Sequence, residues 1–201
     1  MENQDIKEGY TRVSEILSQW DKYSNIESSV LERKKDLGTC VHNAIAGFFN
    51  GIPSVLTDDE GGKYFSSFIL WYSEKKPVMI DVEMRMYDED KMITGCIDAI
   101  LTLPKEDQII LVDWKTSYNP DKLNWPLQAS FYMSLLEKHG FKDVSKAIFV
   151  KLDKFGNMPK EYEFQQTEYL KDVCSHAIET YNYQKPWLEK RKNSITEEYM
   201  E

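Results

Sequence analysis

"TGCIDAILTLPKEDQIILVDWKTS", residues 94–117, holds two apolar runs parted by a short polar stretch, and each run is interrupted by a carboxylate. Runs of this length, rich in Ile, Leu and Val and separated by PKEDQ, read as two strands joined by a hairpin turn. Residues two apart in a strand share a face, so Asp113 and Lys115 project together while Val112 and Trp114 point to the other side. Asp98 breaks the first run in the same way, and Gly95 nearby leaves room for a close neighbour. Pairing across the turn would make Asp98 and Asp113 converge.

Converging carboxylates repel, and burial raises the pKa of at least one, unless a cation sits between them. Hard oxygen ligands suit Mg²⁺ or Mn²⁺, which keep waters and accept phosphate oxygens. Lys115 beside such an ion could stabilise charge in a transition state, or orient and deprotonate an attacking water. The set is coherent for phosphodiester hydrolysis. The triplet Asp113-Trp114-Lys115 equally suits an ordinary ion pair at a strand end, and these three residues alone do not separate the two readings.

Upstream, PVMIDVEMRMY (77–87) alternates, with Val78, Ile80, Val82, Met84 and Met86 on one face and Asp81, Glu83 and Arg85 on the other, so three consecutive strands form a meander. Before them come three helical stretches. The first runs behind a Thr11 cap with Val13, Ile16, Leu17 and Trp20. The second carries a stripe of Leu37, Val41, Ile45 and Phe48 and stops at Gly51; the third is GGKYFSSFILWYSEKK (61–76). After the meander, PLQASFYMSLLEKHG (126–140) returns to helical period, SKAIFVKLDK and MPKEYEF alternate as strands, and a long helix follows with Leu170, Val173, Ala177, Ile178 and Tyr181 on its apolar line. Its polar end, residues 192–201, is expected to fray. The order predicts an α/β fold, a central mixed sheet flanked by helices, in one domain over residues 1–201: a helical segment at 10–75 and an α/β core at 76–190.

With 201 residues, 41% of them apolar, the chain can bury one sizeable core. The formal charge of -9 argues against gripping nucleic acid over the whole surface but leaves room for a small basic or metal-loaded cleft. No window approaches the roughly 18 apolar residues of a membrane span, and MENQDIKEGY lacks signal-peptide character, so the expectation is a soluble, cytoplasmic protein without membrane contact. Cys40, Cys96 and Cys174 are scattered and read as buried free thiols.

Taken in order, GTCVHNAI, IDVEMRM, TGCIDAI, VDWKTS and LQASFYMSLL resemble the PD-(D/E)XK nuclease superfamily, specifically its RecB-like exonuclease branch, and YTRVSEIL resembles the opening segment of that branch. The resemblance implies a restriction-endonuclease-like core. It also implies a metal site of His42, Asp98, Asp113 and the backbone carbonyl of Trp114, with Glu83 as a further acid able to bind a second metal or hold a water. Lys115 matches the catalytic lysine, working with Asp98 and Asp113, and the Trp114 ring would pack into the sheet. Gln128 and Tyr132, four apart on one helical face, would support the site and contact the DNA backbone. His139 and His176 read as ordinary, satisfied histidines.

The resemblance thus implies a Mg²⁺- or Mn²⁺-dependent deoxyribonuclease, an exonuclease acting on DNA ends in recombination, repair or phage DNA processing. Three unclustered cysteines cannot hold the iron–sulfur cluster of some RecB-like relatives, so none is expected. No GxxxxGK[ST] loop occurs, so unwinding would fall to a helicase or recombination partner. Two rivals stand beside this reading: a non-catalytic DNA- or protein-binding module on the same fold, and a structure-selective endonuclease.

Overall fold

The structure is a computed structural model that describes residues 6–20, 27–52, 59–104, 108–142, 144 and 146–198. Among these, six strands form one mixed sheet and five α-helices flank it. In chain order the elements are β1 (Thr11–Arg12), α1 (Val13–Leu17), α2 (Ser28–Phe49), α3 (Asp59–Lys75), β2 (Val78–Asp88), β3 (Ile93–Thr102), β4 (Ile110–Lys115), α4 (Asn124–Lys138), β5 (Lys146–Lys151), β6 (Lys160–Gln165) and α5 (Glu168–Glu198). The turn expected between β3 and β4 lies partly outside the described residues.

The sheet runs β1-β3-β4-β5-β6, with β2 on the other edge of β3. β4 and β5 are parallel, as are β1 and β3, while the β2–β3, β3–β4 and β5–β6 pairs are antiparallel. Alternation sends Leu111, Ala147 and Phe149 toward α1, α4 and α5, and sends Val112, Trp114, Ile148 and Val150 toward α2 and α3. Each face therefore has its own core. The Trp114 ring packs edge-on against Phe68 and Trp71, both fully buried, as its place in the sequence implied.

One feature of β3 opens a cavity in the sheet. β2 covers one edge of β3 along its length. On the other edge, β4 pairs only with Ala99, Ile100 and Leu101, and β1 pairs only with Ile93 and Thr94. The sheet forks between these two ladders, and Asp98 stands in the fork. Its Oδ2 accepts a hydrogen bond from the Trp114 backbone N–H at 2.8 Å, replacing a ladder bond.

Several sequence expectations are corrected. Thr11 does not cap α1: it is buried in β1, paired with Ile93, and α1 begins without a side-chain cap. A register shift between Met79 and Asp81 breaks the alternation of β2, so Val78 and Ile80 are exposed while Met86 is buried. Phe48 stays partly exposed, edge-on to Phe68 and Tyr72. The backbone of α5 remains helical through Glu198 where fraying was expected. Cys40 is exposed and Cys96 half-buried; only Cys174 is fully buried, and all three thiols are free.

Candidate active site

Helix α2 forms because Leu37, Val41 and Ile45 recur every four residues and bury one stripe. His42 follows Val41 and so points beside that stripe, toward the fork. Its Nδ1 lies 3.3 Å from Asp98 Oδ1. One turn earlier, Gly38 lets α2 approach the strand end, since a Cβ there would come within 3.3 Å of Thr116 Oγ1.

Glu83 reaches the same place from β2. Its φ of +53° is unusual for a residue with a side chain, and the left-handed backbone turns its carboxylate into the fork. His42, Glu83 and Asp98 each offer a ligand atom within 4.8 Å of the others. Glu83 Oε2 also accepts the Cys96 thiol at 3.5 Å.

Asp113 and Lys115 project from β4 on the α4 side, as the spacing predicted. Lys115 Nζ stands 2.6 Å from Asp113 Oδ1, a close buried ion pair. The ammonium also donates to Gln128 Oε1 at 2.8 Å. Gln128 Nε2 in turn donates to Asp113 Oδ2 and to the Tyr132 hydroxyl, each at 3.2 Å. One amide thus fixes the acid, the base and the phenol.

The electrostatics follow from burial of like charges beside few cations. Burial raises the Asp113 carboxyl and neighbouring Asp98 raises it further, with Lys115 only partly opposing them. Asp98 goes the other way: burial opposes its ionisation, but the His42 imidazolium and Lys115 outweigh it and lower the pKa. Burial works against a charged His42, yet Asp98 overcomes it and pushes the imidazole up to about 9. Burial, with Asp98 beside it, raises Glu83; burial likewise raises the Tyr132 phenol, which stays protonated. The proton held on His42 stands where a cation would otherwise compensate the carboxylates. One imidazole and three carboxylates, turned into one cavity, form a donor set that fits a divalent cation preferring oxygen.

These groups line a cavity of about 370 Å³ that also carries Arg12, Lys34, Lys35 and Arg85. None of the four stood out in the sequence, although the Lys34-Lys35 pair one turn before Gly38 was a usable signal. They set cations around an acidic floor, with Arg12 paired to Glu15 and Lys34 to Glu60. His139 lies against the Tyr87 backbone and His176 against the Asp172 carbonyl of its own helix. Neither lines this cavity.

No curated protein sequence matches the chain. Among solved structures, a putative exonuclease from Eubacterium rectale superposes with a TM-score of 0.56 at 12% identity, covering 92% of this chain and 82% of that one. An alkaline exonuclease from Laribacter hongkongensis superposes with a TM-score of 0.50 at 10% identity, covering 94% of both chains. At such identities the likeness is one of fold. The family model of the PD-(D/E)XK nuclease superfamily matches residues 63–198, a span that holds β2 through α5 and all the strand-borne acids. A match over more than half of the sequence, on the fold that those strands build, makes this chain a member of the PD-(D/E)XK nuclease superfamily.

Proposed function

We propose that the protein is a Mg²⁺- or Mn²⁺-dependent deoxyribonuclease that degrades DNA from its ends, in recombination, repair or phage DNA processing. His42, Asp98 and Asp113 would hold the ion, with the Trp114 backbone carbonyl and Glu83 as further ligands. An ion held there would supply Lewis-acid activation of the scissile phosphate and of the attacking water.

The chain's own groups supply the rest. Lys115, steered by Gln128, presents its ammonium to the charge that grows on the phosphate oxygens, or holds the attacking water. As the water oxygen bonds to phosphorus and the bond to the sugar oxygen breaks, the attacking water gives up a proton to solvent and the departing sugar oxygen takes one up from it, leaving a hydroxyl and a phosphate monoester. Tyr132, kept protonated, remains a hydrogen-bond donor, and Arg12, Lys34 and Arg85 offer charge to flanking phosphates. The exonuclease assignment draws support from the two fold neighbours, both exonucleases by name. We place the activity in the cytoplasm, with duplex unwinding left to a helicase or recombination partner.

The observation that carries this reading is the convergence of His42, Glu83, Asp98, Asp113 and Lys115 on one cavity. The experiment that tests it is cleavage of end-labelled linear DNA and of circular single-stranded and duplex DNA with Mg²⁺, Mn²⁺ or EDTA. Metal-dependent loss of linear DNA with circles spared is expected. Cutting of circles would establish an endonuclease, and no cleavage with any metal would leave a binding module.

A further inference from the structure

Two large rings are displayed, rather than buried, in the loops that follow β4 and β5. Tyr118 is 75% exposed and Phe155 68% exposed. Tyr118 follows Lys115 by three residues in the loop leaving β4, and Phe155 sits in the turn between β5 and β6. Because β4 and β5 are parallel, with Lys115 paired to Lys151 and the Leu152 N–H bonded to the Lys115 carbonyl at 2.9 Å, both loops leave the same end of the sheet as the catalytic lysine. A single cation joins them: Lys154 Nζ lies 5.1 Å from the Tyr118 ring centre and 4.9 Å from that of Phe155.

Neither ring is exposed through looseness of its loop. Asp153 Oδ1 accepts the backbone N–H of Phe155 at 2.9 Å and both the backbone and side-chain N–H of Asn157, at 3.3 and 3.2 Å. The Asp153 N–H donates to Ser67 Oγ on α3 at 2.9 Å. Gly156, at φ +81°, completes the turn with a backbone bond to the Asp153 carbonyl. On the other loop, Tyr64 donates to the Thr116 carbonyl at 3.0 Å, and Asp121 Oδ1 accepts the N–H groups of Leu123 and Asn124. Anchored turns that hold apolar rings in water leave those rings ready for a flat, apolar-faced ligand.

We propose that Tyr118, Phe155 and Lys154 form a stacking platform for unpaired bases of a single-stranded DNA segment next to the scissile phosphate. The inference rests on the nuclease reading above and adds a substrate preference to it. Base faces stack on aromatic rings without regard to sequence, while the ammonium between the rings meets the backbone phosphate. The lysine and the catalytic end of the sheet favour this occupant over an apolar protein surface, which would leave Lys154 desolvated and unpaired. The platform selects strands whose bases are already unstacked: a frayed end or a single strand.

The test is equilibrium binding, by fluorescence anisotropy in EDTA, of the full chain to a labelled oligodeoxythymidylate and to an abasic phosphodiester strand of equal length. The wild type should bind the thymidylate more tightly than the abasic strand. Tyr118→Ala and Phe155→Ala should each weaken thymidylate binding about five- to tenfold or more, leave abasic binding unchanged, and regain affinity as Tyr118→Trp and Phe155→Trp. Lys154→Met should weaken both strands. Equal loss on both strands by the alanine variants, or no loss at all, overturns the platform while the nuclease reading stands. Failure of the wild type to bind either strand or cut any DNA overturns both.

Discussion

Gly95 faces the ring of Tyr132 so closely that a Cβ would lie 2.7 Å from its Cε1 and 3.0 Å from Leu135 Cδ1. The missing side chain on β3 is what lets α4 settle low enough for Gln128, one turn before Tyr132, to reach both Lys115 and Asp113. Gly95→Ala should therefore push the ring aside, lowering stability by about 1–3 kcal/mol as overpacking does. Thermal melting checks this, and Gly95→Ala with Tyr132→Leu should recover part of the loss by removing the clashing atom. Full stability in Gly95→Ala alone would show that α4 moves freely.

Gln128→Leu keeps the helix and most of the volume but removes the acceptor for Lys115 and the donor for Asp113. Groups that orient a metal ligand or a catalytic side chain typically contribute 10- to 100-fold, so kcat should fall by about that factor while KM changes little. Single-turnover cleavage measures it. A change in KM alone would assign Gln128 to DNA binding rather than to positioning.

Asp113→Asn and Lys115→Ala should fail for different reasons. Calorimetry with Mn²⁺ should show weakened binding only for Asp113→Asn, whereas both should cut at least about a hundredfold more slowly. An ion pair that merely ends a strand predicts slightly destabilised proteins with normal cleavage.

The strands that carry these residues were legible because their periods are strong and their turns conventional; so were the shared side of Asp113 and Lys115 and the need for space at Gly95. What the sequence could not show is the fork. The two-residue β1 has no periodicity to read, and it exists only because β3 has a free edge past Ala99 for Thr11 and Arg12 to fill. Val78 and Ile80 misled for a related reason: alternation promises a buried face, but the register shift at the edge of the sheet removes it. The sequence assigns no role to Arg85 or Arg12 because a cation's role here depends on which cavity it enters, which is a tertiary fact.

The His42–Asp98 contact ties stability to pH in the metal-free protein. The folded imidazole titrates at about 9, above its ordinary 6.5, so the pair's stabilisation is fully present below pH 6.5 and fades as pH rises through 9. Wild type in EDTA should melt above His42→Asn at pH 6, and the gap should close by pH 9.5. Affinity for Mn²⁺ should rise across the same interval, because a ligating imidazole must first lose its proton. A gap that stays constant with pH would mean that His42 is neutral in the fold.

Glu83 isolates the effect of backbone strain at the site. Its φ of +53° lies in the left-handed region, where a side chain costs on the order of 1 kcal/mol relative to glycine. Removing the carboxylate also relieves its repulsion with Asp98, but that gain is common to every neutral replacement. Comparing Glu83→Gly with Glu83→Ala cancels the charge and leaves the backbone. Metal-free Glu83→Gly should unfold at higher denaturant concentration than Glu83→Ala, by about 1 kcal/mol, although glycine is ordinarily the worse residue in a strand. Both variants should bind Mn²⁺ more weakly than wild type if Glu83 is a ligand, so the strained conformation would be held for the carboxylate it delivers. Should alanine prove the more stable, the left-handed turn at Glu83 is not a fixed feature of the folded chain, and the carboxylate reaches the fork by side-chain rotation alone.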